Sequence, residues 1–270
     1  MNYERRENIL AYAISSLQVD QLHVLVFSDR VAAGRTACKH VATKMRELLA
    51  SNERIRMIFA AAPSQNEFLD ALSTEWQIDW NRVTVFQMDE YVDLPSDDAR
   101  TFANYLRSRL FDRVHPGIVH VIDASKDVQE ACLHYSSLLR EAPIDIVCLG
   151  IGENGHLAFN DPSVANFRDP EAMKLVTLDA ACRMQQVHDG SFVDFSAVPK
   201  QAVTLTIPAL LSAKYLYGIV SGENKHVAVT QTLTGPISED CPASILRTHP
   251  NCTLFLDRLA YGYTYHDDLS

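Results

Sequence analysis

Hydrophobic and polar residues alternate along this chain with two different periods, and the elements these predict can be taken in order. Ile9, Leu10, Ala13, Ile14 and Leu17 recur at a helical spacing, which predicts a helix over residues 3–18. Leu22–Phe27 reads as a short strand. Ser28 or Asp29 is then placed to cap a long amphipathic helix reaching about Leu49, with Val31, Ala37, Val41, Met45 and Leu48 on one stripe. Ile55–Ala60 is the next strand, followed by Ala61-Ala-Pro-Ser-Gln65 and a helix through Leu72. Arg82–Met88 predicts a strand that stops abruptly at Asp89-Glu90-Tyr91, and a polar loop leads to a helix near Thr101–Phe111. A strand at Ile118–Ile122, a helix around Asp127–Arg140 and a strand at Ile144–Leu149 continue the alternation. The pattern weakens from Ser163 to Pro199, which predicts irregular structure there. Ala202–Thr206 and Tyr215–Val220 read as strands, Ser221–Lys225 opens a helix to Leu233, Pro242–Thr248 is a short helix and Thr253–Leu256 a last strand.

Strands alternating with helices predict an α/β fold: a Rossmann-like, doubly wound, mostly parallel sheet with helices on both faces. With no linker, internal repeat or low-complexity tract, the 270 residues are read as a single domain.

Composition narrows the partners. A formal net charge of −10 argues against nucleic acid and against an anionic membrane surface, both of which favour a basic face. It still admits a small anionic substrate, which a few local cations can hold. The six cysteines lack C-x-x-C or zinc-ligand spacing, and several lie in apolar segments, as buried reduced thiols do. The first residues lack the apolar core of a signal peptide, and no apolar run approaches the ~20 residues of a membrane span. A cytoplasmic protein is expected.

Candidate chemistry gathers at four strand ends: Ala61–Gln65, Asp89–Tyr91, Gly150–Asp161 and Ser221–Lys225. In a parallel sheet such C-terminal ends share one edge, where residues distant in sequence converge. The stretch Ile144–Pro162 is the most informative. A continuous apolar run breaks at Gly150, Gly152 and Gly155 and then delivers His156, Asn160 and Asp161. Gly150-Ile-Gly-Glu-Asn-Gly155 formally fits the dinucleotide fingerprint, but Asn160-Asp-Pro162 interrupts the helix that fingerprint requires, so a nucleotide site is not the main reading. His156, behind a glycine loop and five residues before a carboxylate, suits acid–base work, with Asp161 orienting the imidazole. Asp89 emerges first from its strand and is the better base of the Asp89–Glu90 pair, Glu90 being read as structural. Lys225 at a helix start behind Gly222, with Ser64 at another strand-to-helix junction, suits an anion.

At these residues the chain resembles a known family. Val85-Phe-Gln-Met-Asp-Glu-Tyr-Val-Asp-Leu-Pro95 and Leu149-Gly-Ile-Gly-Glu-Asn-Gly-His-Leu-Ala-Phe-Asn-Asp-Pro162 resemble the two signature segments of the glucosamine-6-phosphate deaminases. Gly222-Glu-Asn-Lys225 with Ala228, and Ser244-Ile-Leu-Arg-Thr-His-Pro250, resemble later segments, and the likeness runs in order from about Arg30 to Asp257. The resemblance implies conversion of glucosamine 6-phosphate, or a close epimer, to fructose 6-phosphate, or the matching ketose 6-phosphate, and ammonia. It implies ring opening and proton transfer from C2 to C1, with no metal or organic cofactor. By position Asp89 matches the base, His156 the ring-opening acid–base residue, Asp161 its assisting carboxylate and Lys225 a phosphate ligand. Asn154 stands at a catalytic position where members carry aspartate or asparagine. Ala62, Ser64 and Gln65 fall in the phosphate loop, Ala158 in the histidine loop, and Arg183 in a stretch that holds a phosphate-binding arginine. Two departures stand out. Asp161 replaces the family's glutamate, and the phosphate loop lacks the usual glycine pair and threonines. Homo-oligomers are common among such enzymes, so the resemblance leaves one open.

The rival readings are a galactosamine-6-phosphate deaminase, a 6-phosphogluconolactonase and a non-catalytic sugar-phosphate sensor. The lactonase loop resembles G-x-D-G-H followed by A-S-L-F, where this chain has Ala158-Phe-Asn160. A sensor acting on DNA needs a helix-turn-helix or basic arm, and neither is visible in so acidic a chain.

Overall fold

The computed structural model describes residues 13–124 and 127–263. Its frame is an eight-stranded sheet built from β1 (Ser15–Val19), β2 (Leu22–Phe27), β3 (Ile55–Phe59), β4 (Val83–Gln87), β6 (Ile118–His120), β7 (Ile146–Leu149), β10 (Tyr215–Val220) and β11 (Cys252–Asp257). The spatial order is β1-β2-β11-β10-β7-β3-β4-β6. All pairings are parallel except β1 with β2, which runs antiparallel at one edge.

Alternate residues of each central strand enter different cores. Val24 and Val26 pack into the cluster on one face, whereas Leu25 and Phe27 pack into the other. This two-sided burial is why the central strands read as unbroken apolar runs. The long helix α1 (Arg30–Ser51) covers the second face together with α2 (Asn66–Ser73). It starts where Asp29 accepts the Ala32 N–H at 2.8 Å, the N-cap expected from the sequence. Helix α3 (Phe102–Leu106) continues through a π-helical turn, Arg107–Phe111. Helix α4 (Val128–Arg140) follows β6, with Asp127 as its N-cap.

Two expectations are corrected. The first is the helix over 3–18: Ser15–Val19 forms strand β1, and the rest of that segment up to residue 12 lies outside the described residues. In the strand Leu17 and Val19 share the inward face while Ile14, three residues before Leu17, falls on the exposed one, and pairing with β2 overrides the helical spacing. The second is the irregular structure from Ser163 to Pro199. That stretch contains strand β8 (Met173–Thr177) and helix α5 (Ala180–His188). Strand β8 joins β9 (Gln201–Leu205) and β5 (Asp89–Tyr91) in a separate antiparallel sheet of order β5-β9-β8.

Beneath this small sheet lies a third core. Tyr91, Phe102, Phe159 and Phe192 interlock, with ring centroids 4.8–5.6 Å apart in the contacting pairs, and Cys182 of α5 packs among them. The segments that carry Asp89 and His156 are thus anchored in one aromatic cluster. Further helices along the chain are α6 (Ile207–Leu211), α7 (His226–Thr234) and α8 (Arg258–Tyr261).

Candidate active site

The four strand ends singled out from the sequence belong to β10, β7, β3 and β4, which are consecutive neighbours in the sheet. From β3 the chain winds toward β4 and β6, and from β7 toward β10 and β11, so the gap between β3 and β7 is a topological switch point. A cavity of about 430 Å³ opens there, lined by Ala62, Ser64, Asp89, His156, Ala158 and Lys225 among others. Its size falls in the ~300–1,000 Å³ range of small-molecule sites.

Asp89 stands where β4 ends and β5 begins, opposite Thr204 of β9. Gln87 fixes this corner by donating to the Asp89 carbonyl at 3.0 Å and to Glu90 Oε2 at 3.1 Å. Glu90 accepts the backbone N–H groups of Tyr91, Phe102 and Ala103, so it ties β5 to the start of α3 and turns away from chemistry. Burial, and then the Glu90 charge beside it, push the Asp89 carboxyl well above the ordinary carboxylate range. A carboxylate kept basic in this way is suited to taking a proton near neutral pH.

The His156 loop is shaped by its glycines. A β-carbon at Gly152 would meet Cε1, Nε2 and Nδ1 of His156 at 2.2–2.3 Å, so only glycine leaves room for the ring. Gly155 adopts φ +83°, a left-handed conformation that turns the chain back toward the cavity. His156 Nδ1 lies 3.0 Å from Asp161 Oδ1. Nδ1 meets no hydrogen-bond geometry there, so the two groups stand in close contact, as an ion pair whenever the imidazole carries its second proton. Asp161 is fully buried, behind the histidine and off the cavity wall. Burial alone would raise its carboxyl, but contacts from His156, Asn154 and the Asp179 N–H outweigh that and hold it below its ordinary value. Asn154 also stands outside the cavity. Its Oδ1 accepts the His156 N–H at 3.1 Å and its Nδ2 donates to Asp161 at 3.0 Å. Ala158 lines the cavity in a left-handed conformation, φ +51°, a strained state for a residue with a β-carbon.

Lys225 is buried against the cavity and forms no ion pair among the described residues. Burial lowers its pKa, opposed by the carboxylates of Asp189 and Glu153. The amide of Gly222 is not available to a ligand, because it donates to both oxygens of Asp257 at 3.1 Å.

Two residues assigned to the substrate from the sequence do not face it. Gln65 turns inward and donates to the carbonyl of Ile219 at 3.0 Å and to Ser64 Oγ at 3.1 Å, so it clamps neighbouring strand ends. Arg183 points to the far side of α5, donating to the carbonyls of Phe195 and Val198 at 2.7 and 2.9 Å with its guanidinium over the Phe195 ring. These carbonyls fix it away from the cavity, so it is a structural strut. The cavity's other cations are Arg30 and Arg100, each paired with an acid, Glu67 and Asp98.

A sequence model for glucosamine-6-phosphate isomerases and 6-phosphogluconolactonases matches residues 28–255. The chain belongs to this family. Glucosamine-6-phosphate deaminases from Bacillus cereus and Bacillus anthracis are 35% identical to it over 185 residues, which is 68% of this chain and 69% of each relative. A solved monomeric glucosamine-6-phosphate deaminase superimposes with a TM-score of 0.81 at 28% identity, covering 88% of this chain and 98% of its own. The 6-phosphogluconolactonase of Thermotoga maritima, at 22% identity, shares the fold with a TM-score of 0.72 over 87% of this chain and 99% of its own.

Within this family member, helix α5 contributes site residues that sequence reasoning missed. Gln185, Gln186, Asp189 and the turn Gly190-Ser191 line the cavity. Asp179, just ahead of the helix, touches both Asn154 and Asp161. One signal was available: Asp179 before Ala-Ala-Cys-Arg is an N-cap pattern. His156, Asp161 and Cys182 bring possible metal-donor atoms within 4.8 Å of one another, the set among the described residues that could hold a cation. His156 and Asp161 are already engaged with each other. Burial and the surrounding carboxylates push the Cys182 thiol's pKa well up, away from the thiolate a metal requires.

Proposed function

We propose that this chain is an aminosugar-6-phosphate deaminase/isomerase acting on glucosamine 6-phosphate or a close epimer. The observation that carries the reading is that a basic buried carboxylate, Asp89, and an imidazole paired with a buried acid, His156 with Asp161, line one sugar-sized cavity with the cation Lys225. In this reading Lys225 and the Ser64 loop receive the phosphate. His156 moves a proton between the C1 hydroxyl and the ring oxygen, opening the ring to the aldehyde. Asp89 takes the proton from C2 while the aldehyde oxygen gains one, giving an enolamine, and then returns its proton to C1. The resulting C2 imine adds water and expels ammonia, leaving the ketose 6-phosphate. Atoms balance as aminosugar phosphate plus water to ketose phosphate plus ammonia. No redox step is involved.

The assay is ammonia release from glucosamine 6-phosphate and galactosamine 6-phosphate, with 6-phosphogluconolactone as the comparison. Ammonia from either aminosugar is the expected result and identifies the epimer. Rapid lactone cleavage with no ammonia would overturn the reading.

A further inference from the structure

Asp161 sits on a short arm, yet it is fully buried and closely held, because helix α5 comes to meet it. The backbone N–H of Asp179 donates to Asp161 Oδ2 at 3.4 Å, and the Cys182 sulfur, in the first turn of the same helix, lies within 4.8 Å of the same carboxylate. The Asp179 side chain works in two directions. Its Oδ1 caps α5 by accepting the Cys182 N–H at 2.7 Å, and its Oδ2 accepts from Asn154 Nδ2 at 3.3 Å. The Asn154 amide is therefore shared between two carboxylates, Asp161 at 3.0 Å and Asp179, which fixes which way it points. With its nitrogen committed to the acids, its oxygen is left to accept the His156 N–H.

We propose that Asp179 and Cys182 are positioning residues for the His156–Asp161 pair, and that Asp179 is the reason position 154 must be an amide. A carboxylate at 154 would face two others at hydrogen-bond distance and would lack the donors that join them. A helix cap thus doubles as the support of the catalytic acid–base pair. The inference rests on the aminosugar phosphate reading for its readout.

The test is a double-mutant cycle of Asn154→Asp and Asp179→Asn, with kcat and KM for aminosugar phosphate and the thermal midpoint measured for each protein. Asparagine caps a helix as well as aspartate, so Asp179→Asn keeps α5 intact. Asn154→Asp alone lowers kcat about 100-fold or more with KM changed only slightly, as a misplaced catalytic group does. In the Asp179→Asn background the same change costs at least about tenfold less, because only two acids then share the site. Multiplicative effects, or near-normal kcat for Asn154→Asp alone, overturn the proposal. Cys182→Ser keeps a polar donor group beside Asp161 and should retain more kcat than Cys182→Ala at equal thermal midpoint. Equal losses would remove Cys182 from the role. A wild-type protein that releases no ammonia refutes the functional reading itself, whereas an active wild type with an additive cycle refutes only this inference.

Discussion

The imidazole of His156 occupies the space that a β-carbon on Gly152 would need, with three ring atoms 2.2–2.3 Å from that position. Gly152→Ala should therefore displace the ring while leaving the buried sheet intact, because the clash is with a side chain that can move. A displacement of about 1 Å at a catalytic group can cost ~100-fold in rate. Steady-state kinetics should show that loss in kcat, with a thermal midpoint near that of the wild type.

Asp89 is held in conflict between stability and function. Its carboxyl is raised by burial and by Glu90, so the protonated form is the one the fold prefers. A raised folded pKa contributes stability below the unfolded value of ~3.9, and that contribution is lost as pH rises through the folded value. At neutral pH the ionised group is a net cost to the fold, and Asp89→Asn removes it. The variant should lose ~10²–10⁴ in kcat, the usual weight of a general base, while its thermal midpoint rises. In the wild type, kcat should fall as pH drops through the raised Asp89 pKa, placing the acid limb above the ordinary aspartate range. A midpoint for Asp89→Asn below that of wild type at pH 7 would contradict this account.

Lys225 supplies a buried cation with no ion-pair partner among the described residues. Lys225→Gln should raise KM for the phosphorylated substrate roughly 10- to 100-fold, the equivalent of one charge-assisted hydrogen bond. Inorganic phosphate should weaken as a competitive inhibitor by a similar factor. Inhibition by phosphate that is unchanged in the variant would remove Lys225 from the anion site.

Arg183 provides the opposite expectation. Its guanidinium is spent on the carbonyls of Phe195 and Val198, so Arg183→Gln should leave KM and phosphate inhibition unchanged. It should lower stability by about 2 kcal/mol, read as an earlier urea midpoint at constant slope. A rise in KM of tenfold or more would show that the arginine reaches the substrate.

The central sheet was legible because its strands are buried on both faces and read as apolar runs, and because glycines and acids follow four of them directly. The site's position came from the same logic, since β10, β7, β3 and β4 turn out to be adjacent. The two failures have a common cause. Strand β1 and strand β8 are short edge elements whose pairing, not their own pattern, makes them strands. With β8 unseen, α5 was unseen too, and with it Asp179, Gln185 and Asp189. Arg183 was assigned by its place in the sequence, but the face of α5 it occupies could be known only once the helix was known. Gln65 shows the same limit: a polar residue in a site loop can be committed to backbone carbonyls instead of ligand.

Thr204 joins parts of the molecule that lie far apart along the chain. It pairs with Asp89 across the small sheet, and its hydroxyl accepts the Phe159 N–H at 3.0 Å in the loop that presents His156. The separation between the carboxylate and the imidazole is consequently inherited from cross-strand registration, not from the length of chain between them. Insertions or deletions in the surface turns that connect these elements are insulated from this spacing, because a single threonine keeps Asp89 and the histidine loop in step.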